Sequence, residues 1–60
     1  MYVLQNTETL WYVTPPGGQR SYSPRLEEAR TFATREGAEK ERCVENERVV
    51  AVSTLLRVPA

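Results

Sequence analysis

The feature that most constrains what this chain of 60 residues can fold into is its single cysteine, Cys43. A chain this short buries only about 60% of the surface that its unfolded form exposes, so its stability is small. Domains of this size usually supplement their core with disulfides, a metal or a partner, and one cysteine closes no disulfide within the chain. We therefore expect a single small domain over residues 1–60 that self-associates or binds a partner.

The residue types that the sequence lacks exclude most site chemistry. It contains neither histidine nor aspartate, so a Ser-His-Asp or Cys-His arrangement, a His-bearing zinc set and an EF-hand cannot be built. Cys43 has no histidine beside it to activate the thiol as a nucleophile. Glutamates on a short charged helix are typically solvated surface. We expect a protein that is not an enzyme, with no catalytic residue, cofactor or metal.

The charges are balanced, with 8 Lys+Arg against 8 Asp+Glu. Between Pro24 and Arg48 basic residues alternate with glutamates, which is typical of a mixed solvated face. A protein that binds nucleic acid through phosphates normally carries a basic excess, so nucleic acid is disfavoured as a partner. No apolar stretch is long enough to span a membrane and the first residues do not resemble a signal peptide, so we expect a cytosolic protein.

The first part of the chain predicts a β-hairpin. Residues 2–4 and 10–14 are rich in aromatic and β-branched types, and the polar segment from Asn6 to Thr9 between them predicts a four-residue turn. The segment 15–21 contains Pro15, Pro16 and two glycines and predicts a loop. It lacks the Gly-Lys-Ser/Thr of phosphate-binding loops and the proline spacing of polyproline ligands, so a connecting role is favoured.

The middle of the chain permits two interpretations. Ser23 and Pro24 form a helix-start signal, and a single helix could run from there to Cys43. The weak helix formers around Phe32, and Thr34 as a second N-cap, favour a broken path instead. That path has one helical turn at 24–29, an extended piece at 30–33 and a helix at 35–43. A polar exit turn follows, in which Asn46 tolerates the left-handed conformation.

The last segment, residues 48–58, predicts a strand with apolar residues on both faces. One helix can cover only one face of a small sheet. The sequence therefore predicts an α+β fold, in which a small antiparallel sheet, made of the N-terminal hairpin and the C-terminal strand, packs on one short helix. The uncovered face predicts a homodimer through the C-terminal strand, or a partner on that face.

The order of these segments resembles a known group of proteins. Tyr2-Val3-Leu4 and Trp11-Tyr12-Val13 are followed by the pattern Leu-x-x-Ala-Arg-x-Phe-x-Thr-x-Glu-x-Ala, which begins at Leu26, and then by Val49-Val50-x-Val52. This order is similar to that of small, mostly uncharacterised accessory proteins encoded by bacteriophages and prophages. The resemblance implies an α+β fold with a buried Phe32 and a role in binding a host factor. The loop from Pro15 to Gly18 is outside the shared pattern.

The aromatic residues and arginines of the hairpin and loop are the candidate site. Aromatic residues and arginine are enriched at binding hot spots, and the set expected to bind a protein is Trp11, Tyr12, Arg20 and Tyr22. With the resemblance, we expect an accessory protein that binds and inhibits or modulates a host protein of the transcription or defence machinery, CRISPR effectors included. The alternative is a small nucleic-acid-associated module that uses four arginines and two stacking aromatics, namely Arg20, Arg25, Arg30 and Arg35 with Tyr22 and Trp11.

Overall fold

A computed structural model describes residues 1–18 and 20–56 and confirms a small α+β fold. The strands are β1 (Tyr2–Asn6), β2 (Tyr12–Val13), β3 (Tyr22–Ser23) and β4 (Glu47–Ala51). A 3₁₀ turn covers Leu26–Glu28, α1 covers Arg35–Glu41, and a single helical turn, α2, covers Val52–Leu55.

The four strands form one antiparallel sheet in the order β3-β2-β1-β4. The longest pairing joins β1 to β4, from Tyr2 opposite Ala51 to Asn6 opposite Glu47. On the other side of β1, Gln5 lies opposite Tyr12, and a bridge at the far end joins Tyr2 to Phe32. The first and last of the described strands are therefore neighbours, and β4 forms one edge of the sheet.

Helix α1 lies against β1 and β4. The guanidinium carbon of Arg35 is 5.3 Å from the centroid of the Tyr2 ring, which places the helix on the Tyr2 face of the sheet. Because side chains alternate along a strand, Leu4 shares that face and Val3 lies on the other. Thr34 begins the helix, since its hydroxyl oxygen accepts a hydrogen bond from the Gly37 N–H at 3.1 Å.

The core is small and unusually polar. Only three apolar residues are buried among those described, Val3, Leu4 and Ala38, alongside four buried polar or charged ones. These are Gln5, Asn6, Ser23 and Glu47. Buried polar groups stabilise a fold only when they are hydrogen-bonded. Hydrogen bonds between segments therefore contribute a large share of the specificity of this domain.

The broken path of the middle segment is confirmed. The 3₁₀ turn, the extended residue Phe32 in its bridge, and α1 follow one another as expected, although Tyr22–Ser23 is a strand and α1 ends at Glu41. Ser23 therefore precedes the turn rather than capping it, and the cap position belongs to Arg25. Phe32, which the resemblance implies to be buried, is half-buried.

Two expectations about the last third of the chain are wrong. The strand expected over 48–58 ends at Ala51, because the chain turns into α2 there; Val58 lies outside the described residues. The left-handed residue expected at Asn46 is not there. Among the described non-glycine residues only Leu10 has a positive φ, of 65°.

The outer edge of β4 is short. The Val52 N–H donates to the Met1 C=O and the Thr7 N–H donates to the Asn46 C=O, each at 2.9 Å, at the two ends of the β1–β4 ladder. Because alternate residues of an antiparallel strand bond to the partner strand, these two bonds fix which residues of β4 bond to β1. Val49 and Ala51 then direct their backbone groups outward. The Ala51 C=O accepts the Thr54 hydroxyl at 2.7 Å. This leaves little edge for a second copy, and the expected homodimer through this strand stays a prediction.

Candidate functional site

Between β1 and β2, the four residues from Thr7 to Leu10 form a turn that hydrogen bonds close, and Trp11 connects this turn to β2. The Leu10 N–H donates to the Asn6 C=O at 2.9 Å, and the Asn6 N–H donates to the Trp11 C=O at 2.7 Å. The Asn6 side-chain oxygen accepts from the N–H groups of Glu8 and Thr9, at 2.8 and 2.9 Å. Asparagine suits this position because its side chain closes such turns.

Leu10 ends this loop in the left-handed region, with φ of 65°. Glycine or asparagine is the usual residue there, since a larger L-residue costs about 1–2 kcal/mol. The Leu10 side chain is 55% exposed, so burial does not offset that cost. Strained residues that the core does not require are concentrated at functional sites.

Trp11 follows Leu10, and its side chain is 42% exposed. The Trp11 N–H donates to the Thr9 hydroxyl oxygen at 3.2 Å. The Gln5 amide N–H₂ donates to the Leu10 C=O at 3.0 Å, and its oxygen accepts two bonds from Arg48, of 3.1 and 2.7 Å. We call Leu10 and Trp11 the hairpin tip: two exposed apolar side chains on a backbone that is tied to the sheet.

The structure separates the four residues expected to bind a protein. Trp11 belongs to the hairpin tip. Tyr12 lies opposite Gln5 and Ser23, whereas Tyr22 lies opposite Val13 on the other face of the sheet. Arg20 is exposed at the end of the loop between β2 and β3.

Tyr22 is held by a structural hydrogen bond. Its hydroxyl donates to the buried carboxylate of Glu47 at 2.5 Å, and the Cys43 N–H donates to the same carboxylate at 2.8 Å. This bond to Glu47, followed by burial, raises the pKa of Tyr22 above its usual value. The Arg42 guanidinium donates to the Glu47 C=O at 2.9 Å. Tyr22 therefore ties β3 to the strand at the far edge of the sheet.

Residues 1–18 and 20–56 contain no group of three Cys or Glu side chains that could hold a metal ion. Cys43 is exposed. Over the same residues, no helix has the length and apolar character needed to cross a membrane.

Two residues of interest are not predicted from the sequence. The sequence predicts Leu10 as a strand residue, because a leucine side chain gives no sign of a left-handed backbone. Asn6, at the start of the turn, is the one sequence signal for this loop. Arg25 was considered only as one of four arginines of the nucleic-acid alternative. Arg20 and Arg25 line one groove, and this depends on how β3 and the 3₁₀ turn fold back on the loop.

Comparison with known proteins identifies no relative. A scan against models of protein families finds no match, and searches of curated proteins and of solved structures find none either.

Proposed function

We propose that this chain is a non-enzymatic binding module whose hairpin tip inserts into an apolar pocket of a protein partner. The observation that carries the proposal is Leu10, exposed and held at φ of 65° where glycine would be unstrained. The resemblance to phage accessory proteins supports a host protein as that partner, which the chain would inhibit or modulate.

The hydrogen-bonded backbone of the hairpin tip supports a binding role, and so does its composition. Its backbone is fixed through Asn6 and Gln5 before any partner arrives. Preorganised contacts lose less conformational entropy on association, so each one contributes more to the affinity. Trp11 supplies the aromatic anchor that interfaces favour. The small core gives a further reason, since a partner that covers the tip removes apolar surface that this domain cannot bury itself.

The nucleic-acid alternative is less well supported. Of its two stacking aromatics, Tyr22 donates its hydroxyl to Glu47 and so belongs to the sheet. Arg30 lies 4.7 Å from the centroid of the Phe32 ring and 4.0 Å from the Glu41 carboxylate. The salt dependence of the binding affinity distinguishes the two functions, because phosphate binding weakens steeply with ionic strength whereas burial of an apolar tip does not.

The test is capture of a partner from a lysate of the host by the immobilised chain, with Leu10→Gly and Trp11→Ala as variants. We expect both variants to lose capture while circular dichroism shows a retained fold. Leu10→Gly is the sharper test. Glycine removes the side-chain contact with the partner and also relieves the backbone strain, so the domain is not weakened.

A matched control is Val44→Ala, which trims an apolar side chain that is 75% exposed in the turn before β4. It should capture like the parent chain, also in high salt. If Val44→Ala loses capture as strongly as Leu10→Gly, the capture is nonspecific hydrophobic binding. If capture disappears in high salt, the partner is nucleic acid or another polyanion. Either result contradicts the proposal.

A further inference from the structure

A groove of about 670 Å³ lies between the β2–β3 loop and the 3₁₀ turn. Pro15 lies on the loop side and Pro24 on the turn side. Ser23, which is fully buried, lines it as well. Arg20 contributes to the groove from the loop and Arg25 from the turn.

The two arginines have anchored backbones. The Arg25 N–H donates to the Ser23 hydroxyl oxygen at 3.2 Å, and the Arg25 C=O accepts from the Glu28 N–H at 3.1 Å. The Arg20 C=O accepts the Thr14 hydroxyl, and the Thr14 N–H donates to the Ser21 C=O at 3.1 Å. Both residues therefore occupy set positions although their side chains are exposed.

The charge of the groove is mixed but positive. Glu28 also lines it, and its carboxylate accepts the Ser23 hydroxyl. The ion pairs found in the described part of the chain join other residues, and neither Arg20 nor Arg25 takes part in one. The groove is thus lined by two arginines and one glutamate, whose carboxylate already has a hydrogen-bond donor in Ser23.

We propose that this groove binds a carboxylate-bearing, extended peptide segment of a protein partner. The inference rests on the proposed function, because it assigns a chemistry to a second segment of that partner. A guanidinium forms paired, charge-assisted hydrogen bonds with a carboxylate, and the proline rings offer apolar contact between successive acidic residues. Glu28 limits the binding of dense polyanions, which favours an acidic peptide over a nucleic-acid backbone.

The test is an NMR titration of the full chain with a blocked octapeptide of alternating glutamate and proline. The control peptide has glutamine in place of glutamate, which keeps the shape and removes the charges. We expect the glutamate peptide to shift the amide signals of Gly18, Arg20 and Arg25, and the glutamine peptide to leave them unchanged. Equal shifts with both peptides would overturn the proposal.

Three variants sharpen the test. Arg25→Glu should weaken binding at least about tenfold, as expected when charge-assisted hydrogen bonds are lost. Lys40→Glu makes the same change of net charge on α1, outside the groove. Its affinity for the peptide should stay within about twofold of that of the parent chain, because exposed charges at a distance are screened. Glu28→Gln should tighten binding, since the amide oxygen still accepts from Ser23 while the repulsion is gone.

Equal weakening by Arg25→Glu and Lys40→Glu would mean unspecific attraction and overturn the groove as a site. A thymidine oligonucleotide with the same number of charges that binds more tightly than the peptide would overturn the choice of ligand. Leu10→Gly should leave peptide affinity unchanged. The two proposals can therefore be refuted independently. Partner capture tests the hairpin tip, and this titration tests the groove.

Discussion

The hydrogen bond between Tyr22 and Glu47 is the contact whose removal tests the account of the fold most directly. Tyr22→Phe deletes one hydroxyl and keeps the ring. The Glu47 carboxylate, in a residue only 8% exposed, then loses the donor at 2.5 Å and keeps the Cys43 N–H at 2.8 Å. A buried charged acceptor that loses a donor destabilises the folded state by more than an ordinary hydrogen bond contributes.

The expected loss is about 1–2 kcal/mol in the free energy of unfolding. Hydrogen bonds to charged groups contribute about 1.5–3 kcal/mol, and water can partly replace the hydroxyl because Tyr22 is only half-buried. For so small a domain each kcal/mol moves the melting midpoint by roughly 4–8 °C. Thermal unfolding followed by circular dichroism should therefore show a midpoint lower by about 5–15 °C.

Tyr12→Phe is the matched control, because it removes the same atom on the opposite face. The Tyr12 hydroxyl has no hydrogen-bond partner among the described residues, so its loss should change stability by less than about 0.5 kcal/mol. A double-mutant cycle of Tyr22→Phe with Glu47→Gln should give a coupling energy of at least about 0.5 kcal/mol. Equal melting of the two phenylalanine variants, or a coupling near zero, would refute this account of the buried network.

Three further predictions concern stability. The hydrogen bond to Glu47 raises the pKa of Tyr22, so the contribution of Tyr22 to stability is present below about pH 10 and is lost as the pH rises through the raised value. Above about pH 10 the stability of the parent chain should therefore fall more steeply with pH than that of Tyr22→Phe, and equal slopes in an alkaline unfolding titration would contradict this. Thr34→Ala removes the N-cap bond to Gly37 and should cost about 1 kcal/mol in urea unfolding, whereas Thr31→Ala should change little. Leu10→Gly should stabilise by about 0.5–1 kcal/mol, since relief of the left-handed strain outweighs the added freedom of the unfolded chain, and a lower urea midpoint would contradict the strain at this position.

Local signals in the sequence were sufficient for several elements. The β-forming residues on both sides of the Asn6 turn predicted the hairpin, and Thr34 predicted the start of α1. The weak helix formers around Phe32 predicted the break before that helix, where Phe32 bridges to Tyr2. Each of these depends on backbone preference and on hydrogen bonds between residues close in sequence, which a local pattern contains.

The candidate site could be predicted only in part. Trp11 and Arg20 were named from their residue types, which is enough to suggest binding but does not place them. Their separation, one at the hairpin tip and the other in the groove, follows from the path of the chain between β2 and the 3₁₀ turn. Leu10 was missed because its backbone conformation is set by the closure of the loop on Asn6 rather than by its own preference.

The sequence by itself determined the balanced charge of the chain, the absence of histidine and aspartate, and the local starts and turns. The tertiary structure alone decided that β4 ends at Ala51, that Tyr22 meets Glu47 across 25 positions of sequence, and that Arg20 and Arg25 share a groove. The physical reason is the range of the forces involved. Propensity and capping act within a turn of chain, whereas burial and strand pairing join residues whose proximity no local pattern records.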